Sequence, residues 1–164
     1  SRPRGGTFVM PHPVPARDHR CCVTLDRRAP VSPTPTRSTV PKQILVVDDD
    51  PDLSLLMALF LRKQGHEVIT AGDGRAALER VRASAPDLVV LDWNMPHLDG
   101  LGLATAIRGE LGLTSLPLLM VTALPDHAQA LAAGVDRVVA KPFTSAVLVG
   151  AVEDLLASAG RAPA

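Results

Sequence analysis

From Lys42 onward the chain alternates between two textures: short aliphatic or β-branched runs, and longer stretches whose apolar residues recur at helical spacing. Five runs read as strands: QILVV at 43–47, EVITA at 67–71, DLVVL at 87–91, PLLMV at 117–121 and DRVVA at 136–140. Three of these, ILVV, LVVL and PLLMV, are continuously apolar, as strands are when both faces of a parallel sheet are covered. The stretches between them predict five helices. The first, 51–64, sets Leu53, Leu56, Met57 and Phe60 on one face and stops at Gly65. The second opens at Asp73 as N-cap, turns Leu78 and Val81 inward and ends before Pro86. The third covers 99–108, with Leu103 and Ile107 four apart. A short fourth covers 125–133 and is closed by Gly134; the fifth follows Thr144 with Leu148, Val152, Leu155 and Leu156 at helical spacing. Connections of this length cannot be hairpins. They imply parallel pairing, right-handed crossovers and helices on both faces, an α/β fold built as a doubly wound (βα)5 unit on a five-stranded sheet.

The first 41 residues differ in kind. They hold eight of the fifteen prolines and seven Arg against two Asp, while 42–164 carry ten Lys or Arg against fifteen Asp or Glu. Such proline density disfavours helix and sheet alike, so 1–41 is expected to be a disordered Pro/Arg-rich tail, followed by one folded domain over 42–158 and a short tail at 159–164. Phe8-Val9-Met10 is the longest apolar run of the tail, too short for the core of a secretory signal. The only cysteines, Cys21 and Cys22, are adjacent and have neither a disulfide framework nor metal-ligand spacing, so a reducing, cytoplasmic setting is expected and no membrane association. The arginines of the tail are scattered and Phe8 is the one Phe, Tyr or Trp among them, too little for base stacking, so no direct nucleic-acid contact is expected.

In doubly wound sheets, ligands sit beyond the carboxyl ends of the strands. Asp48 and Asp49 follow the first run, Asp92 the third, Thr122 the fourth and Lys141 the fifth. The stretch VVDDDPDLS, 46–54, concentrates charge most: two carboxylates about 5 Å apart repel by roughly 3 kcal/mol at an effective dielectric near 20. Asp50 is explained as the N-cap before Pro51. Asp48 and Asp49 need a cation. Together with Asp92 they form an oxygen-only donor set suited to magnesium or manganese, while Lys141 and Thr122 can receive an anionic group.

The segments LVVDDD at 45–50, LDWNMPHLDG at 91–100, VTA at 121–123 and KPF at 141–143 resemble the receiver domain of bacterial two-component response regulators, and AGDGRAAL at 71–78 resembles the junction of its second strand and second helix. The resemblance spans about 42–157. It implies the flavodoxin-like strand order 2-1-3-4-5 and a phospho-acceptor, Asp92, that takes a phosphoryl group from a sensor histidine kinase or histidine phosphotransfer protein. It further implies Mg²⁺ on Asp49 and Asp92, with the backbone carbonyl of Asn94 as a ligand and Asp48 assisting through water. Thr122 would bond a phosphoryl oxygen, Lys141 would pair first with Asp92 and then with the phosphoryl group, and the Lys141-Pro142 bond would be cis. Such a protein is a signalling acceptor, with only self-directed phosphotransfer and dephosphorylation, and speaks to a downstream protein partner.

Two departures bear on output. The family usually places an aromatic three residues before the lysine, where this chain has Val138, and the segment from Thr122 to Lys141 is about three residues short. Signalling through a different surface, or weakly, is therefore expected. Leu124, two residues past Thr122, should hinder the water that removes the phosphoryl group. Because only SAGRAPA follows the last helix, a stand-alone receiver is expected, with a fragment of a hybrid kinase or regulator, or a phosphorylation-independent interaction module, as alternatives. A phosphatase of the haloacid dehalogenase type would need an aspartate at 94, where Asn94 stands. A flavodoxin-like FMN site would be repelled by DDDP.

Overall fold

The computed structural model describes residues 40–124 and 126–160. The tail read over 1–41 lies outside these residues except for Val40 and Pro41, which are exposed, and 161–164 lie outside them as well. The elements follow the predicted alternation: β1 Gln43–Val47, α1 Pro51–Lys63, β2 Glu67–Ala71, α2 Gly74–Ser84, β3 Leu88–Asp92, α3 Gly100–Gly109, β4 Leu118–Thr122, α4 His127–Ala132, β5 Arg137–Ala140 and α5 Ser145–Ala159. All strand pairs are parallel, in the order β2-β1-β3-β4-β5.

The apolar runs are continuous because alternate residues serve opposite layers. Leu45, Val47, Val89, Leu91, Leu118 and Met120 join the side chains of α2 and α3 in one core. Ile44, Val46, Leu88, Val90, Leu119 and Val121 join those of α1 and α5 in the other. Each helix begins on a side-chain cap: Asp50, Asp73, Asp99, Asp126 and Thr144 accept backbone N–H groups of the first turn, as N-caps do.

Three strands begin one residue later than the sequence pattern suggested, for local reasons. Asp87 and Asp136 spend their carboxylates as acceptors at the feet of neighbouring strands, and Pro117 has no N–H to give a ladder. Asp92 and Thr122 consequently belong to β3 and β4 as their last residues. Asp99 is the cap of α3 and not its first residue. Helix α4 starts at His127 instead of 125, and α5 continues to Ala159, with Gly160 as its cap, beyond the expected boundary at 158. The inner face of α1 is also rotated from the expected one. Ser54, Met57, Ala58 and Leu61 are buried, Leu53 and Phe60 pack at the margin, and Leu56 points outward.

Candidate functional site

The carboxyl ends of β1, β3 and β4 and the residue after β5 meet at one rim. Asp48 extends the ladder past β1 through its N–H to the Ala71 carbonyl (3.2 Å), and its Oδ1 accepts the Asp50 N–H (2.9 Å), which folds the chain into the α1 cap. Asp92 ends the fully buried β3 and stays buried itself. Asp49 is exposed. One carboxylate oxygen from each of Asp48, Asp49 and Asp92 lies within 4.8 Å of the others.

Lys141 reaches this cluster from the edge. Its backbone N–H donates to the Thr122 carbonyl (2.8 Å), and the following Lys141-Pro142 bond is cis. Its Nζ lies 3.1 Å from Asp92 Oδ1 and 3.4 Å from Asp48 Oδ2. One ammonium thus contacts two of the three clustered carboxylates, leaving an excess of negative charge. Burial pushes the Asp48 carboxyl above its usual range; the Asp50 N–H and Lys141 oppose this, and Asp92 adds to it. Thr122 is fully buried, and its Oγ1 accepts the Leu124 N–H (3.0 Å). Asn94 is exposed in the loop after β3, which is anchored on either side of it by buried Trp93 and Met95.

All six residues named from the sequence therefore lie at this rim or in the loop leaving it. The donor set fits a hard divalent cation, since it is built wholly of oxygen and carries more charge than Lys141 neutralises. Sequence reasoning gave no role to Gly100, which the geometry requires. Its N–H donates to the Trp93 carbonyl (2.9 Å), and a Cβ at this position would collide with the Asp92 carbonyl oxygen. A glycine in the first turn after a capping aspartate was the available signal, but only the packing shows that α3 presses against the acceptor strand. Leu55 was also passed over; it lines a cavity of about 410 Å³ together with Asp48 and Asp49.

A doubly wound sheet that gathers carboxylates, a hydroxyl and an ammonium at its strand ends places them where ligands bind in this class of α/β fold. Residues 44–153 match the family described as the response regulator receiver domain, and the chain belongs to that family. It is 38% identical over 117 residues to the DNA-binding response regulator MtrA of Mycolicibacterium smegmatis, covering 70% of this chain and 50% of that protein. It is 41% identical over 121 residues to the transcriptional regulatory protein PrrA of Mycobacterium bovis, covering 72% and 51%. Among solved structures, the chemotaxis response regulator CheY4 of Vibrio cholerae is similar at 28% identity and a TM-score of 0.67, covering 71% of this chain and 99% of that one. The signal receiver domain of a signal transduction histidine kinase from Syntrophus aciditrophicus is similar at 28% and 0.69, covering 75% and 96%. The chain spans about half the length of the curated relatives it matches. Two of those relatives are named for DNA binding or transcription, so the expected absence of nucleic-acid contact does not extend to them. Among the described residues, no helix is long and apolar enough to cross a membrane.

Proposed function

We propose that this chain accepts a phosphoryl group on Asp92 from a phosphohistidine-bearing protein, a sensor histidine kinase or a histidine phosphotransfer protein. The observation that carries this reading is the Lys141 ammonium held 3.1 Å from Asp92 and 3.4 Å from Asp48 at the rim where three carboxylates converge. An Asp92 oxygen attacks phosphorus in line; the P–N bond breaks with its electron pair remaining on the imidazole, and the new P–O bond is an acyl phosphate. Lys141 then exchanges its Asp92 partner for a phosphoryl oxygen, and the Thr122 hydroxyl donates to another. Asp49 and Asp92 would hold Mg²⁺ or Mn²⁺ with the Asn94 carbonyl, and Asp48 would assist. When bound, the cation supplies positive charge between an anionic nucleophile and an anionic phosphate. No external substrate is turned over: the acyl phosphate is only hydrolysed in place, so the protein is a signalling acceptor working in the cytoplasm.

The donor must reach Asp92 from the rim, and α1 offers it a surface there. Leu55, Leu56 and Leu59 are exposed on a helix that starts beside Asp49, and Leu55 shares a cavity with the acidic pair. An apolar patch bordering Asp48 and Asp49, which cluster with the reacting Asp92, suits a helical phosphohistidine protein. On the output side, α4 has six residues and Val138 is only partly buried where the family carries an aromatic. That favours transmission to a downstream partner through a surface other than an aromatic switch.

The test is intact-mass measurement after incubation with acetyl phosphate and Mg²⁺. A gain of one phosphoryl mass is expected in the wild type, and none in Asp92→Asn or in wild type with EDTA. A folded wild type that gains nothing even from a phosphohistidine donor would favour a phosphorylation-independent interaction module.

A further inference from the structure

The foot of β5 is held by a single arginine. Arg108, near the end of α3, has a side chain only 16% exposed and divides its donors among three segments. Nε donates to the Gly134 carbonyl (2.9 Å), Nη1 to the Leu116 carbonyl (2.7 Å) and to that of Leu113, and Nη2 to Asp136 Oδ2 (2.8 Å). The same Asp136 oxygen accepts the Leu118 N–H (2.8 Å), and the Asp136 N–H donates to the Leu118 carbonyl (2.9 Å). Gly134, at φ +93°, makes room for this arrangement, since a Cβ there would stand 2.7 Å from Arg108 Cγ.

The fold contains a second version of this pin. Asp87, one residue before β3, accepts the Gln43 N–H at the foot of β1 (2.9 Å), donates its own N–H to the Gln43 carbonyl (2.8 Å) and pairs with Lys42 (3.0 Å). The strand it serves scarcely needs help: all five residues of β3 are buried, and Val89, Val90 and Leu91 are paired on both sides, so a slip would expose the core. β5 is different. It has four residues, pairs on one side only, and buries Val139 alone. Burial specifies its register weakly, yet its register places Lys141. A slip of one residue moves that lysine by roughly 3.3 Å and turns it to the other face, off both carboxylates.

We propose that Arg108 is a positioning residue for Lys141: through Asp136 and Gly134 it pins the foot of β5 against β4, and so sets the register that delivers the ammonium to Asp92 and Asp48. The proposal rests on the phosphoryl-acceptor reading for its kinetic consequence and on geometry alone for the register.

Arg108→Met removes the donors and keeps much of the stem. Asp136→Asn retains an acceptor for the Leu118 N–H and weakens only the charge pair, so it stands in if the first variant fails to fold. Three quantities are measured on folded protein: amide hydrogen exchange, Mg²⁺ affinity from the fluorescence of Trp93, and the initial rate of phosphoryl gain from acetyl phosphate. Trp93 suits the titration because it is buried, adjacent to Asp92 and the only tryptophan. In Arg108→Met, exchange at the Lys141 amide should accelerate at least tenfold more than at Val47 or Val90, and phosphorylation should slow at least tenfold. Mg²⁺ affinity should hold or tighten, because the carboxylates stand on β1 and β3 and the competing ammonium has withdrawn. For Asp136→Asn, about threefold changes in the same directions are expected. Mg²⁺ affinity and rate falling together would show a general loosening and overturn the proposal; so would an unchanged rate, or uniform acceleration of exchange. If the wild type takes no phosphoryl group, the functional reading fails, while the exchange pattern still decides the register.

Discussion

The centre and the edge of the sheet are built on different terms. β1 and β3 present a buried residue at nearly every position, and the three carboxylates stand on them or in the turn that follows β1. β5 buries one residue, the neighbouring α4 buries only Ala130 among its described residues, and this side carries Lys141. A metal site needs donors that hold their spacing, and a doubly packed strand provides that. In the proposed phosphoryl transfer the lysine changes partners, and a lightly packed strand would suit that, provided its resting position is set by something other than burial. Rigidity and freedom are thus divided between strands of the same sheet.

The sharpest way to break this comparison is to remove volume from each side. Leu91 is fully buried in β3 and Val138 only partly buried in β5. Leu91→Ala should cost about 2–5 kcal/mol in urea denaturation through lost burial and the cavity left behind. Val138→Ala should cost about 1 kcal/mol or less, as the edge can close around the change. Similar losses at the two positions would mean that β5 is as firmly packed as the centre.

Most of the topology was legible because parallel, doubly covered strands leave an unmistakable pattern: the alternation of runs, helices and caps admits few arrangements. The site was legible for a related reason, since strand ends are where a polar residue has no packing task, and Asp48, Asp92, Thr122 and Lys141 each stood out against an apolar run. Other features required coordinates. Arg108 reads as an ordinary basic residue at the end of a helix, and nothing local says that its guanidinium gathers carbonyls from Leu113, Leu116 and Gly134. Gly100 reads as a turn residue until its approach to the Asp92 carbonyl is seen. Helix α1 has apolar residues nearly all round, so periodicity could not choose between the face carrying Leu56 and the one carrying Leu61.

A smaller effect tests whether the opposite end of the sheet is as dry as the centre implies. His66, just before β2, is 5% exposed, and neither ring nitrogen has a hydrogen-bond partner. Burial lowers its pKa below the ordinary 6.5, although the negative charges of Glu153 and Asp87 work the other way. A group that prefers to stay neutral in the folded protein binds its proton more readily when unfolded. The penalty is therefore absent above about pH 6.5, grows as pH falls toward the folded-state pKa and is constant below it, at no more than about 1.4 kcal/mol per unit in the window. His66→Phe removes the titration and keeps the bulk. Its stability relative to wild type should rise between pH 7 and pH 5.5 in urea denaturation; a difference that stays flat would place a proton-accepting partner or water at the ring.

The smallest effect expected concerns the rim beside the edge. Leu124 is exposed, and its N–H is tied to Thr122 Oγ1, so its backbone is fixed next to the position the phosphoryl group would take. Water that hydrolyses an acyl phosphate must approach in line and lose a proton, and an aliphatic side chain offers it no acceptor. Leu124→Glu leaves the Leu124 N–H bond in place and adds a carboxylate able to orient that water. Loss of the phosphoryl group, followed by intact mass after the donor is removed, should be several-fold faster in the variant, roughly 1 kcal/mol or less in the barrier. Equal decay would mean that the path of the water runs elsewhere. The slow step would then belong to the centre of the site, where Asp92 and its neighbours are packed, and not to the lightly held side that carries α4.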